Sequence, residues 1–338
     1  MINWRKKLRF FDIRDWLVAS VKWRRWGFLD ICPTWKCNAR CPTCNCWQRE
    51  RDELNDDQAF QLVNHPYFKH INAVTIEGGE PTMWSHLDFF IGLFLSKKSY
   101  PLINIITNGF KYSFLYELGE KFIENKHRIK FYVSLNGDKE THDASRGVKN
   151  AYERTIKSIE ILKNLGYFVQ LSSVMFDQNI DKLDHVFDIA KIYNCPVNVC
   201  WPTTYGRFEH GGLWTTNRKE EILAAKEKVS SKLRWLDQWA YDYFLYRASN
   251  SLLMPCYAGY RYVHVNPQGV LRPCLFDESM VIGQVYNDDV ELFDFKKTVK
   301  RIPDKCQYKD GGLCDDCLVR KSVRSNIPRV LWGKLWSL

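Results

Sequence analysis

Three cysteines on one short loop are the residues of this chain best placed to do chemistry. Cys37, Cys41 and Cys44 follow the spacing Cys-x3-Cys-x2-Cys. Thiolates are soft ligands, and three of them at this spacing can hold three irons of a [4Fe–4S] cluster. The fourth iron then has no protein ligand and stays open to a substrate or cosubstrate. The spacing therefore predicts a catalytic cluster as well as an electron store.

Four further motifs follow the cysteines in a set order. They are Glu77-Gly78-Gly79-Glu80-Pro81, Thr107-Asn108-Gly109, Ser134-Leu135-Asn136-Gly137 and His142-Asp143-Ala144-Ser145-Arg146-Gly147. The cysteine loop and these motifs together resemble the radical S-adenosylmethionine (SAM) superfamily over roughly residues 31–320. Their order and spacing resemble the subgroup that carries a SPASM or shorter twitch domain with a second cluster. The ordered set is much more specific than the cysteine spacing alone.

The resemblance implies a reaction and its cofactors. In this superfamily SAM binds the open iron of the [4Fe–4S] cluster, and an electron from the reduced cluster cleaves it to a 5′-deoxyadenosyl radical. That radical abstracts a hydrogen atom from the substrate, while the protein orients the groups and excludes water. The electron implies a reductant as partner, such as flavodoxin or ferredoxin.

The resemblance also implies a set of SAM-binding residues. Glycine lets backbone carbonyls approach an ammonium group closely, and the fork of an arginine suits a carboxylate. Thr43 stands where the family commonly has an aromatic residue, and Asn136 where relatives often have Asp. No catalytic acid or base is assigned, because His142 and Asp143 resemble a structural pair. The expected contacts of SAM or substrate are Thr43, Gly78, Gly79, Glu80, Thr107, Asn108, Ser134, Asn136 and Arg146.

A second group of cysteines lies in the last third of the chain. Cys256 precedes a predicted hairpin, Cys274 lies on its return strand, and Cys314 and Cys317 form a Cys-x2-Cys knuckle. This layout resembles the twitch arrangement and implies one auxiliary [4Fe–4S] cluster, with Cys306 as a possible substitute ligand. A four-cysteine zinc site is the alternative, since such knuckles also bind zinc.

The remaining four cysteines are predicted to be small buried apolar residues, the usual place of a free cysteine. They are Cys32, Cys46, Cys195 and Cys200.

Apolar runs alternate with amphipathic helical stretches from residue 31 onward. Strands are predicted over 73–77, 103–107, 130–135, 168–174 and 197–201, and helices over 54–64, 84–97, 112–125, 151–165 and 180–193. Buried strands alternating with helices indicate a parallel α/β sheet, and the motifs fall just after strand ends, where such folds place their sites. The resemblance implies a partial (β/α)6 TIM-like barrel followed by a small auxiliary-cluster domain.

Five segments are predicted in chain order. They are a basic, Trp-rich amphipathic segment (1–30), the radical SAM barrel (31–216), a helical linker (217–252), the auxiliary-cluster domain (253–317) and a basic tail (318–338).

The excess positive charge lies at the two ends of the chain. The net charge is +10, and residues 1–30 hold eight basic and three acidic residues, while 318–338 hold five basic and none acidic. Basic residues interleaved with Trp are typical of helices in a membrane interface, so both ends are expected at an anionic membrane surface. Packing of the first helix on the barrel is the alternative. The neutral middle of the chain argues against a nucleic-acid groove.

These observations predict a cytoplasmic enzyme, peripheral at the inner face of the membrane, since no apolar run is long enough to span a bilayer. The main hypothesis for the substrate is a lipid or lipid-linked molecule. The alternatives are maturation of a ribosomal peptide and dehydrogenation of a soluble sugar or alcohol. A non-enzymatic iron–sulfur or zinc protein is the rival from another class.

Overall fold

The computed structural model describes residues 27–50, 52–69, 71–200, 262–273, 278 and 281–285. Within them the chain alternates between strands and helices, as the sequence pattern predicts. The strands and helices up to residue 200 are β1 Phe28–Ile31, α1 Asp56–Asn64, β2 Ala73–Ile76, α2 Leu87–Leu95, β3 Leu102–Thr107, α3 Tyr112–Lys121, β4 Ile129–Ser134, α4 Lys139–Arg146, α5 Ala151–Asn164, β5 Phe168–Val174, α6 Leu183–Ile192 and β6 Val197–Cys200. They are followed by β7 Tyr262–Val265, β8 Val270–Arg272 and β9 Gly283–Gln284.

Strands β1 to β6 form a parallel sheet in sequential order, which is the framework of a partial (β/α)6 barrel. Right-handed crossovers place the connecting helices on one face of such a sheet. Alternate strand residues on that face, such as Ile105, Phe131 and Leu171, are buried in one apolar core with residues of the helices. The predicted α/β fold class is therefore confirmed for this part of the chain.

The predicted hairpin after residue 260 extends this sheet. β7 pairs parallel with β1, and β8 and β9 continue antiparallel, giving the strand order β6-β5-β4-β3-β2-β1-β7-β8-β9. β1 begins at Phe28, so the barrel begins inside the segment predicted as 1–30. The other predicted segments (residues 1–26, 217–252 and 318–338) and the cysteines of the auxiliary set lie outside the described residues.

Three elements were absent from the sequence predictions: strands β1 and β9 and helix α4. β1 has only four residues, and the sequence on either side of it is typical of turns. α4 is short and polar, so its boundaries are set by its caps. The Asp138 side chain accepts a hydrogen bond from Thr141 N, and Gly147 ends the helix in the left-handed conformation, which glycine adopts without steric cost.

Candidate functional site

The loop that carries Cys37, Cys41 and Cys44 follows β1 and is braced by its own hydrogen bonds. Ala39 N–H donates to Cys37 Sγ at 3.4 Å, and Cys44 N–H donates to Cys41 O at 3.2 Å. Trp47 Nε1 donates to the same Cys41 carbonyl at 3.3 Å. The Trp47 indole therefore helps to hold the loop backbone.

The three thiols lie within electrostatic reach of one another. Burial raises the pKa of Cys37 to about 12, and the nearby charges of Glu80, Cys41 and Cys44 add to the rise. Burial also raises the pKa of Cys41, against the opposing charge of Arg146. The Cys37 and Cys41 thiols therefore need a bound cation to become thiolates, since metal ligation requires the deprotonated form.

Three cysteine thiols are the donor set with which a protein holds three irons of a [4Fe–4S] cluster. Among the described residues no three His, Cys, Asp or Glu side chains converge as the ligands of one ion do. A [4Fe–4S] cluster takes each cysteine on a different iron. Cys37, Cys41 and Cys44 are the residues that would hold it.

Gly78 and Gly79 pack the end of β2 against the chain leading into the cysteine loop. Gly79 N–H donates to Thr34 O at 2.9 Å, and Glu80 N–H donates to Lys36 O at 2.8 Å. A Cβ on Gly79 would lie only 2.3 Å from Lys36 O, so any larger residue would displace the loop. These glycines were predicted as SAM contacts, and the structure gives both a packing role at the base of the site.

Glu80 is the centre of a buried hydrogen-bond network. Its side chain is 1% exposed and accepts from Thr82 N at 3.2 Å, Thr82 Oγ1 at 2.8 Å, Thr107 Oγ1 at 2.6 Å and Asn108 N at 2.7 Å. Burial raises the pKa of Glu80, and these four bonds oppose the rise. The carboxylate therefore ties the ends of β2 and β3 together.

The network reaches the cysteine loop through two asparagines. Asn108 Nδ2 donates to Asn38 Oδ1 at 2.7 Å, and Asn38 follows Cys37 directly. Asn108 Oδ1 also accepts from Phe110 N at 2.9 Å, and Thr107 Oγ1 accepts from Gly109 N at 3.0 Å. The predicted contacts of Thr107 and Asn108 with ribose or substrate remain predictions, while their observed bonds position the loop.

Ser134 and Asn136 stand at the end of β4 in different surroundings. Ser134 is half-buried and faces Ser172 of β5 in register. Asn136 is 4% exposed, and its side chain donates to Ser145 Oγ at 3.1 Å and accepts from Val174 N at 3.2 Å. Asn136 therefore joins β4, β5 and α4, which positions Ser134 without requiring contact with a ligand.

His142 is a buried neutral imidazole beneath this strand end. Its Nδ1 accepts from Asn136 N at 3.1 Å, and its Nε2 lies 3.3 Å from Thr155 Oγ1, which donates to Asn108 O at 2.8 Å. Burial, and then the charge of Arg146, lowers the pKa of His142 well below its usual value. The structural role predicted for this residue agrees with these contacts.

We expect His142 to make the protein less stable as the pH falls from 7 to 5. Because its pKa is depressed in the folded state, the unfolded chain binds a proton that the folded chain cannot, and the free energy of unfolding falls by up to about 1.4 kcal/mol per pH unit below about 6.5. Urea unfolding at a series of pH values would measure this. In His142→Gln the free energy of unfolding should change less steeply with pH, whereas the same change at exposed His127 should leave the pH dependence unaltered. An equal pH dependence in the unmodified protein and both variants would contradict the prediction.

Four residues of the network were not singled out from the sequence: Asn38, Thr82, Thr155 and Asn179. Asn179 is fully buried and donates through Nδ2 to Asn136 O at 2.9 Å and to Val174 O at 2.8 Å. Thr82 follows the Gly-Gly-Glu segment directly, and Asn38 lies inside the cysteine motif. Adjacency to the motifs could have indicated Asn38 and Thr82, whereas Thr155 and Asn179 lie outside every motif and no local signal marks them.

Two of the four remaining cysteines are buried as predicted. Cys32 is 0% and Cys46 is 2% exposed, and both pack with Trp35. Cys195 and Cys200 are half-buried instead, because each lies near the end of an outer element rather than in the core.

The predicted auxiliary cluster falls on residues that the structure does not describe. These are Cys256, Cys274, Cys306, Cys314 and Cys317.

Comparison with known proteins gives a consistent family assignment. Residues 31–190 match the Radical SAM superfamily. The chain is 23% identical over 327 residues to the antilisterial bacteriocin subtilosin biosynthesis protein AlbA of Bacillus subtilis (strain 168), covering 87% of this chain and 67% of AlbA. It is 25% identical over 301 residues to GTP 3′,8-cyclase of Campylobacter jejuni, covering 85% of this chain and 91% of the cyclase.

The fold matches that of SuiB from Streptococcus suis, solved with the precursor peptide SuiA. The TM-score is 0.57 at 14% identity, and the match covers 78% of this chain. The chain spans 62% of the length of SuiB.

The fold and the site together define a partial-barrel α/β protein with a three-cysteine loop at the carboxyl ends of its parallel strands. Residues 31–190 carry the Radical SAM superfamily domain that the motif order predicts. Its relatives agree with the SPASM-type subgroup that the motif order predicts.

Proposed function

We propose that this chain binds SAM and a [4Fe–4S] cluster at Cys37, Cys41 and Cys44 and acts on a ribosomally made precursor peptide. When bound, the cluster and SAM supply an electron and a 5′-deoxyadenosyl radical for hydrogen abstraction. The observation that carries the proposal is the loop of three coupled thiols clamped to the strand ends by Gly79 and the Glu80 network. This clamp keeps the three sulfurs in place and one side of the loop buried.

The inner face of the barrel has the chemistry to bind peptide amides. Asn104, Tyr132, Gln170 and Asn198 lie at alternate strand positions opposite the helix-packed core, and each is half-buried. Barrel interiors that serve only as a core are filled with branched apolar residues. Amides and hydroxyls both donate and accept hydrogen bonds, as a peptide backbone requires.

The comparisons support a peptide substrate better than a lipid. SuiB has been solved with a precursor peptide, and AlbA serves bacteriocin biosynthesis. Nothing in them supports the membrane hypothesis, and the two basic ends that motivated it lie outside the described residues. No helix in the described part of the chain is long and apolar enough to cross a membrane. A nucleotide substrate is a second candidate, because the match to GTP 3′,8-cyclase covers 91% of that enzyme.

The test is anaerobic reconstitution followed by SAM, dithionite and one of three probes. The probes are synthetic peptides encoded by short reading frames beside the gene, GTP, and vesicles containing anionic phospholipid. We expect 5′-deoxyadenosine to form fastest with one of the peptides, and that peptide to lose hydrogen by mass spectrometry. Stimulation by GTP alone would favour the nucleotide, stimulation by vesicles alone would restore the lipid hypothesis, and no 5′-deoxyadenosine from iron-replete protein would reject the proposed activity.

A further inference from the structure

One guanidinium lies directly beside a sulfur of the cysteine loop. Arg146 Nη1 is 3.8 Å from Cys41 Sγ, within hydrogen-bonding distance for sulfur. Arg146 is the last residue of α4, and its Nε is buried with no hydrogen-bond partner in the described part of the chain. Arg146 therefore directs one N–H donor at the Cys41 sulfur and keeps a second, at Nε, unused among the described residues.

The position of Arg146 is set by backbone contacts rather than by its own flexible side chain. Arg40 N–H, inside the cysteine loop, donates to Arg146 O at 2.8 Å. Gly147 follows with φ at +62°, and a Cβ there would lie 2.4 Å from Arg40 O. The end of α4 and the cysteine loop are thus locked together, which holds the guanidinium at Cys41.

The cysteines sit in unequal electrostatic surroundings. Cys37 lies near the carboxylate of Glu80, whereas Cys41 lies near the cation of Arg146. Hydrogen bonds to cluster sulfurs, and net charge around a cluster, set its reduction potential. A cation that donates to a ligating thiolate stabilises the extra electron of the reduced state.

We propose that Arg146 raises the reduction potential of the [4Fe–4S] cluster through its contact with the Cys41 sulfur. This inference rests on the proposed function, since it needs the cluster to be present. It differs from the predicted role of Arg146 as a partner of the SAM carboxylate, because the contact with Cys41 acts even when no SAM is bound.

The experiment measures the midpoint potential of the reconstituted full-length protein without SAM, by EPR of the reduced cluster. Arg146→Gln is expected to lower the potential by about 59 mV, which is a tenfold change in a one-electron equilibrium. Arg146→Lys keeps the charge and should recover part of the loss. The control is Arg40→Gln, which removes the same charge from a guanidinium that donates to the carbonyls of Cys37 and Ala39, at 3.0 and 2.7 Å, and lies over the Trp47 ring. Because these bonds go to carbonyl oxygens and not to a cysteine sulfur, Arg40→Gln should shift the potential much less.

Two results would overturn the inference. An unchanged potential in Arg146→Gln with weakened SAM binding would make Arg146 a SAM ligand alone. Equal shifts in Arg146→Gln and Arg40→Gln would show a general effect of charge. Failure of the proposed function is recognised separately, because the unmodified protein would then assemble no cluster or release no 5′-deoxyadenosine.

Discussion

Replacing Cys41 by alanine is expected to abolish SAM cleavage and to remove the iron of one [4Fe–4S] cluster. Removing a ligand should cost far more than the roughly 10- to 100-fold that the loss of an outer-shell partner costs. The thiol of Cys41 also contacts Arg146, and its backbone carbonyl accepts a hydrogen bond from Trp47. 5′-Deoxyadenosine release and iron per chain, both measured after anaerobic reconstitution, check this result.

The matched control is Cys46→Ala, only five residues further along the same segment. Cys46 is 2% exposed and packs with Cys32 and Trp35, so the loss of its sulfur should cost some packing and leave the iron content unchanged. If Cys46→Ala lost the iron and Cys41→Ala kept it, the assignment of the cluster ligands would be wrong.

Replacing Glu80 by alanine is expected to lower the free energy of unfolding by about 3–5 kcal/mol. The change leaves the N–H groups of Thr82 and Asn108 and two threonine hydroxyls buried without their acceptor. The cysteine loop should loosen as well, because Asn108 holds Asn38. Urea unfolding of the full-length chain, kept anaerobic, measures the first effect, and iron uptake measures the second.

Glu80→Gln serves as the near-isosteric comparison. The glutamine amide keeps one acceptor oxygen but replaces the other with an NH₂ group, which would face the N–H or O–H donors of its neighbours. We therefore expect the free energy of unfolding to fall by about half as much as in the alanine variant. Alanine and glutamine variants as stable as the unmodified protein would mean that Glu80 does not hold the strand ends together.

The same network explains why the Gly-Gly-Glu segment needs its residue types even before any ligand binds. Gly79 has no room for a Cβ beside Lys36 O, and both carboxylate oxygens of Glu80 accept hydrogen bonds from within the protein. Their predicted contacts with SAM remain predictions. What the contacts of Gly79 and Glu80 support directly is the placement of the cysteine loop relative to β2 and β3.

The amino-acid sequence by itself determined the chemistry and the fold class of this protein. The spacing of Cys37, Cys41 and Cys44 and the alternation of apolar strands with helices are local patterns, which can be recognised without knowing any long-range contact. For this reason the five predicted strands were found, with ends that differ by at most one residue.

Only the tertiary structure decided which motif residues touch one another. Glu80 bonds to Thr107 and Asn108, and Arg146 reaches Cys41, across 27, 28 and 105 residues of chain. Contacts of this range depend on the register of neighbouring parallel strands and on where a helix such as α4 ends. A one-residue change in strand register would point the side chain to the other face of the sheet, and a one-residue change in the end of α4 would rotate its last side chain by about 100° around the helix axis. No local pattern in the sequence specifies either.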